Sequence, residues 1–548
     1  MSSLYFYVGV VLIIIIVTII ISITENRKKR VIVKQLWEQN AKWLEYNETF
    51  INFDHFYRNL IADGNVSREF EVDDVTWHDL DMDSLFKEIN HTFTTVGEER
   101  LYAALRNVGA CEDVDENFIA RLNTDQPWRE KITWILSKLS KQPNSDTSKY
   151  FTHYTPSGSV RYQPLYAFLS VLPVVGIGML LINFLLGILV IIGALLLNMV
   201  ISYQHKSKYE NEYSDLFYGL NIISVATQLK PHFHDMLNTS VNIEDGVKHL
   251  QLFSTLLINE EADQNNILLQ LLTGVKHAFI LDYHVCHYII NTLVKNKDTY
   301  EKCWHLVSTA DLNYSVAMWR RQLPYYVTPN AVQDESMVIH DVYHPLITEP
   351  ISNSIDLRQN ILLTGSNASG KSTFMKSLAV NVILSNGINT STSGYFKYVP
   401  GRVLSSMDIS DSISEGDSYF ISEIKSLKRI IEALNGSNAH FYCFIDEIFK
   451  GTNTKERLAA AEVLLRFLST HRRISLVAAT HDIELTETLC DEMVMYHFSE
   501  VLEGDDIFFD YQIKKGPAQT SNALELLRIF NFPKSIYKDS KQILEEYY

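Results

Sequence analysis

The chain has 548 residues, 46% of them hydrophobic and 21% charged, with a formal net charge of −17. Length alone allows roughly three domains, and the composition is that of a globular protein without low-complexity tracts. The negative balance argues against a protein whose overall field attracts nucleic acid, which needs a Lys/Arg excess on at least one face. A local basic patch stays compatible with it.

In chain order, the first feature is Tyr5–Ile23, 19 residues without a charge, enough to cross a bilayer core as a helix. No basic residue precedes it, and Arg27-Lys28-Lys29-Arg30 follows, the reverse of a cleaved secretory signal. The expectation is an uncleaved transmembrane helix over 4–24, with the N-terminus outside and the following residues cytoplasmic. Residues 25–164 then read as a cytoplasmic helical segment.

Leu165–Tyr203 is a second run, 39 residues without a charge. One span takes about 20 residues, so the run reads as a transmembrane hairpin over 165–203. Asn183 or the Gly176/Gly178 pair marks the turn. Arg161 before it and His205, Lys206 and Lys208 after it fit cytoplasmic flanks. A buried helical hairpin within a soluble domain is the competing reading, disfavoured because soluble cores seldom use such unbroken apolar runs. An integral membrane protein of three spans is expected, in the plasma membrane if the source is bacterial, with the lipid bilayer as a partner.

Residues 204–330 are helix-rich. His284, Cys286 and His287 lack a second ligand pair at zinc spacing. The five cysteines are sparse and unpatterned, as expected of reduced thiols.

Residues 331–548 carry the chemistry. Gly365-Ser366-Asn367-Ala368-Ser369-Gly370-Lys371-Ser372 fits G-x-x-x-x-G-K-[ST] in full. The glycines let successive N–H groups point into one concavity for phosphate oxygens. Lys371 brings a charge to the β- and γ-phosphates of ATP, and the Ser372 hydroxyl suits Mg²⁺. Ser372 and Thr373 open a helix whose positive dipole end faces the phosphates. A buried strand, Ile361-Leu362-Leu363, precedes the loop, and helical apolar spacing follows until Gly387.

A second apolar strand, Phe441–Ile445, ends in Asp446-Glu447. Asp446 there can hold the Mg²⁺ shell, and Glu447 can orient or deprotonate an attacking water. A third strand, Ile474–Thr480, ends in His481-Asp482. Alone, His481 is an ordinary histidine; at the end of a third parallel-type strand it can sense the γ-phosphate. Alternation of strands and helices predicts an α/β phosphate-binding domain, a parallel-rich sheet with helices on both faces and the ligand at the strands' carboxyl ends.

These motifs resemble the ATPase domain of MutS proteins, relatives of the ABC-type ATPases. The carriers are "TGSNASGKSTFMKSLA", "FIDEIFKGTNTKE" and "AATHDIEL", with "HPLI" upstream at His344–Ile347. "DISDSISEGDSYFISEI" resembles the family's signature segment, which implies Ser418 as a contact to ATP across a homodimer. The resemblance covers about 340–540 and extends more weakly to Leu80–Asn107, similar to the start of the family's helical core and lever. It implies a helical core interrupted by the hairpin and an ATP-driven dimer switch at the cytoplasmic membrane face. There is no room before residue 80 for the family's mismatch-reading and connector domains, and that stretch has no Phe-x-Glu wedge. A membrane-tethered DNA-binding ATPase of the repair and recombination type stays open, although net charge does not favour DNA; so does an unidentified protein partner. A transporter component lacks the Leu-Ser-Gly-Gly-Gln signature.

Overall fold

The structure is a computed structural model describing residues 24–42, 53–64, 66–108, 114–152, 154, 164–233, 247, 249–250, 267–333, 337–365, 369–407, 419–450, 452–503, 506–518 and 532–547. The expected anchor over 4–24 lies outside these residues but for Thr24. Contacts group the chain into two units that do not follow linear order. A helical unit takes Met1–Val66, Asn90–Tyr102 and Asp113–Met318; a sheet unit takes Ser67–Ile89, Ala103–Glu112 and Trp319–Tyr548. The stretch 80–107 is therefore divided between them.

The helical unit is built from capped helices around an aromatic core. Asp115 caps the helix Glu116–Thr124 by accepting from Asn117 and Phe118 N–H, and Asp125 caps Gln126–Ser137 by accepting from Trp128 N–H. Such caps satisfy amide donors that the first helical turn leaves open. Phe56 lies 4.3 Å from Trp304 between ring centroids, and both are fully buried. The buried Asp311 carboxylate accepts from Phe93 N–H (2.9 Å), Thr94 N–H (2.8 Å) and the Thr94 hydroxyl (2.6 Å). Burial still pushes its carboxyl up to about 6, against those hydrogen bonds.

Within this unit Pro164–Leu180 and Phe184–Lys208 form an antiparallel hairpin. Of the two turns open from the sequence, the one at Asn183 forms: its side chain caps the second helix through Leu186 N–H. Gly176 and Gly178 lie inside the first helix. The outward faces stay apolar and exposed, as at Phe168 (64%), Leu181 (92%) and Leu196 (62%). Phe184–Lys208 is long and apolar enough to cross a bilayer; Pro164–Leu180, at 17 residues, is shorter. Three polar residues within the helices, Ser170, Asn198 and Ser202, are turned inward. Asn198 donates to the carbonyls of Leu169 (2.9 Å) and Ala278 (2.7 Å), Ser202 pairs with His277 (2.8 Å), and Ser170 pairs with His284 (3.2 Å). The hairpin is thus clasped to the helices Ile267–Ala278 and Leu281–Lys295.

Twelve strands occur among the described residues of the sheet unit: β1 (Asn330–Ala331), β2 (Met337–Val342), β3 (Asn353–Leu357), β4 (Asn360–Thr364), β5 (Tyr395–Tyr398), β6 (Gly401–Ser406), β7 (His440–Asp446), β8 (Ile474–Ala479), β9 (Met493–His497), β10 (Glu500–Glu503), β11 (Asp506–Phe509) and β12 (Lys514–Lys515). The main sheet runs β12-β9-β4-β8-β7-β6; every pairing is parallel except that of β12 with β9. Its centre reads as continuous apolar sequence because both faces are covered: all six residues of β8 are buried. A smaller sheet, β1-β5-β2-β3, and the hairpin β10–β11 complete the strands.

The helix Lys371–Ile388 follows β4 and is buried from Phe374 to Ile388 except at Lys376. It does not stop at Gly387, as the sequence suggested. Asn389, at φ 49°, forms the left-handed cap instead. Gly387 serves packing: a Cβ there would sit 2.3 Å from the Ala104 carbonyl oxygen. The segment 67–89 is tied to β6 and its surroundings. Asp79 accepts from the Ser405 hydroxyl (2.6 Å) and Met407 N–H (3.0 Å), and Arg402 donates to the Glu71 carbonyl (3.0 Å).

Candidate active site

Three adjacent parallel strands, β4, β8 and β7, end at the same edge of the sheet. Their carboxyl ends present Gly365, His481 and Asp446-Glu447. Gly365 sits at φ 129°, and a Cβ on it would meet the Phe498 carbonyl oxygen at 2.4 Å. Gly370, at φ 103°, is the left-handed residue that opens the helix Lys371–Ile388. Both positions demand glycine, so the first and last glycines of the motif have structural causes. Ser366, Asn367 and Ala368 lie outside the described residues, as does Ser418.

Lys371 is 1% exposed and curls over the loop, its ammonium donating to the Gly365 carbonyl at 2.6 Å. Burial is the main cause that lowers its pKa to about 8; Asp446 opposes the shift and Lys450 adds to it. The Ser372 hydroxyl donates to Asp446 Oδ2 at 2.5 Å. The other Asp446 oxygen, Oδ1, is buried with no hydrogen-bond partner among the described residues. An unpaired carboxylate oxygen in such a place is costly. A hydroxyl and a half-satisfied carboxylate are oxygen donors that suit Mg²⁺.

Glu447 follows with φ 54°, its N–H bonded to the Ala479 carbonyl at 2.9 Å. Its carboxylate contacts His481 Nε2 and pairs with Lys450. His481 is held below the usual imidazole range, first by burial and then by Lys371 and Lys450. The turn after Glu447 is gripped from behind: buried Glu423 accepts from Phe449 and Lys450 N–H. Arg457 makes a two-pronged pair with Asp482 (3.0 and 2.7 Å), fixing the helix Thr454–Ser469 against the His481 turn. Of the expected site residues, Gly365, Ser369, Gly370, Lys371, Ser372, Thr373, Asp446, Glu447 and His481 are described. Lys450, Glu423 and Arg457 were not anticipated; Lys450 lies three residues after Glu447, whereas Glu423 and Arg457 are brought to the motif residues by the fold.

Beside the loop is a pocket of about 380 Å³ that shares Gly370 and Thr373 with it. His344, Asn353, Phe374, Phe498 and Tyr511 contribute its walls. Asn353 donates to the Tyr511 carbonyl (2.9 Å) and accepts from Ile513 N–H (2.8 Å), which fixes that strand end. Burial pushes His344 down to about 4, so its imidazole is neutral at physiological pH. Among the described residues no cluster of His, Cys, Asp or Glu has metal-binding geometry, His284, Cys286 and His287 included.

Residues 361–547 match the family described as MutS domain V. That interval contains every described catalytic candidate. The DNA mismatch repair protein MutS of Methanosarcina barkeri is 25% identical over 290 residues, covering 50% of this chain and 32% of its own. MutS of Pelotomaculum thermopropionicum is 28% identical over 260 residues (45% and 29%), and MutS of Streptococcus pyogenes serotype M5 is 24% identical over 341 (60% and 40%). The chain spans roughly a third of the length of the curated relatives it matches (32% of the first). The similarity supports a MutS-type ATP-binding domain here.

Proposed function

We propose that the protein is an Mg²⁺-dependent ATPase of MutS type, working as a dimer switch at the cytoplasmic face of a membrane. The observation that carries the catalytic half is the meeting of Lys371, Ser372, Asp446, Glu447 and His481 at the ends of three adjacent strands. In this reading the 365–373 loop cradles the ATP phosphates, with Lys371 turning from the Gly365 carbonyl to the β- and γ-phosphates. Ser372 and Asp446 hold Mg²⁺, which supplies neutralisation of phosphate charge. Glu447 accepts the proton of the attacking water. His481, its pKa lowered by burial and by Lys371 and Lys450, orients Glu447 and senses the γ-phosphate side. The pocket bounded by His344, Phe374 and Tyr511 is the right size for the nucleobase.

The hairpin supports the membrane half. Its outer faces expose apolar side chains while Ser170, Asn198 and Ser202 are bonded inward, the pattern of helices solvated by lipid. With the 5–23 run it makes three spans, N-terminus outside and the ATP site inside. The dimer rests on the MutS similarity and on the signature-like segment around Ser418. The relatives' printed names carry DNA mismatch repair, which keeps a membrane-tethered DNA-binding ATPase as the second reading. One experiment separates them: ATP turnover of the detergent-purified chain with and without duplex, branched and single-stranded DNA. Turnover indifferent to all three supports the switch; several-fold stimulation by one of them supports the second reading. Absence of Mg²⁺-dependent turnover in every condition sinks both.

A further inference from the structure

A second site lies in the helical unit, remote in sequence from every ATP-site residue. The helix over 24–39, the helix Gln126–Ser137 and the end of Glu210–Leu229 border an open groove of about 740 Å³. Arg30, Lys34, Lys131, Lys138 and His232 reach it, against one carboxylate, Glu130. Glu130 is taken by Lys34 at 3.0 Å. Among the described residues Arg30, Lys131 and Lys138 have no carboxylate partner. Arg30 lies over the Trp134 ring at 4.6 Å, and Lys138 donates to the neutral Gln228 amide at 2.5 Å. The cations also disfavour one another: Lys138 is shifted down by partial burial and then by Arg30, His232 by burial and then by Lys131 and Arg121. In a chain of net charge −17, this is a concentration of positive charge lacking an anion.

The walls between the cations are apolar, with Val31, Trp134 and Ile135 among them. A free inorganic anion has no use for such walls, and the apolar residues between the cations offer nothing to a duplex backbone, which is phosphate and sugar throughout. An amphiphile with an anionic head matches both. Position agrees: Arg30 stands seven residues after the uncharged run ending at Ile23, about 10 Å along a helix, within the headgroup zone of a bilayer that holds that run. We propose that this groove binds the phosphate headgroup of an anionic phospholipid, Arg30, Lys131 and Lys138 meeting the phosphate and Trp134 and Ile135 lining its glycerol and acyl end. The inference rests on the membrane reading above.

The test uses the full chain purified in mixed micelles with equal phosphatidylglycerol and phosphatidylcholine, counting retained lipids by native mass spectrometry. Phosphatidylglycerol is expected to be retained several-fold over phosphatidylcholine. Lys131→Gln and Lys138→Gln, at exposed positions, should each cut the preference by roughly fivefold, the worth of one cation at an anionic lipid surface, with ATP turnover unchanged. Glu130→Gln, which frees Lys34 and removes the only carboxylate, should raise it. Equal retention of both lipids, or a preference unmoved by all three substitutions, overturns the proposal. So does displacement of the lipid by duplex DNA, which makes the groove a nucleic-acid site, or by millimolar inorganic phosphate, which makes it a free-anion site. Carbonate extraction of cell membranes separates this from failure of the anchor. A chain released by carbonate contradicts the membrane reading, and short-chain phosphatidylglycerol in plain buffer then decides the groove by the same comparison.

Discussion

Strand β8 and the helix Phe184–Lys208 are similarly apolar in sequence and opposite in structure. Every residue of β8 is buried, Leu476 and Val477 completely, whereas Ile192 and Leu196 in the helix are 51% and 62% exposed. Hydrophobicity states that a segment avoids water; it does not state what replaces the water. In β8 the replacement is neighbouring strands and covering helices, and the result is a rigid edge on which charges can be placed. In the hairpin the inner face packs on protein, as Leu169 does against Ile280 and Tyr283, while the outer apolar face has no protein over it. The proposed division of labour follows: the sheet positions chemistry, the hairpin meets lipid.

The comparison is broken most severely at the sheet edge. Lys371→Ala should abolish ATP binding by calorimetry, because the phosphates lose the one ammonium the loop provides, while membrane association is untouched. Glu447→Gln should keep binding and lower turnover by roughly 10²–10⁴-fold, and in sedimentation with ATP should accumulate a nucleotide-bridged dimer. Wild-type turnover in that variant would remove Glu447 from its role, and a strict monomer would remove the dimer.

Next come the apolar segments themselves. Leu476→Ala should cost about 2–5 kcal/mol in denaturant unfolding of the detergent-solubilised chain. Ile192→Ala should lie within about 0.5 kcal/mol, as at surfaces generally. Ile192→Arg sharpens the contrast: against lipid it costs about 2.5–3.5 kcal/mol of insertion and should lower the membrane-inserted fraction, whereas against water it would change nothing. The smallest effect is on pH. Lys371 is depressed from 10.5 to about 8 in the folded chain, so between those values the unfolded chain binds more protons and ligand-free stability gains with rising pH from this group. ATP needs the charged form, so affinity should weaken as pH climbs above about 8. Affinity flat from pH 7 to 9.5 would contradict the buried ammonium.

That the Gly365–Thr373 motif, the Asp446-Glu447 strand end and His481 would stand at strand ends was legible because each sits where an apolar run stops, and that punctuation is local. The turn at Asn183 was legible as one of two choices, and a cap bond decided it. Lys450 and Glu423 were not: their roles depend on the positive-φ turn at Glu447 and Phe449, which no spacing announces. The pocket walls come from residues as far apart as His344 and Tyr511, joined only by strand pairing. Gly387 misled because a glycine near a helix end usually caps it, and here close packing against Ala104 took precedence.

That packing has a consequence for how the protein is made. Gly387 and Ala104 touch, and Asp79 holds Ser405, yet Asp113–Met318 of the other unit separates the early segments of the sheet unit from the late one. A ribosome adding roughly 5–20 residues per second needs on the order of 10–40 s to deliver those roughly 200 residues. During that interval Trp77, Leu80 and Phe86, all buried in the finished unit, lack the part of their cover that residues after 318 supply, and the hairpin emerges in the same window. Nascent chains of this protein should therefore depend on a holding factor bound near residues 67–89, and transplanting that segment alone to follow residue 548 should relieve the dependence.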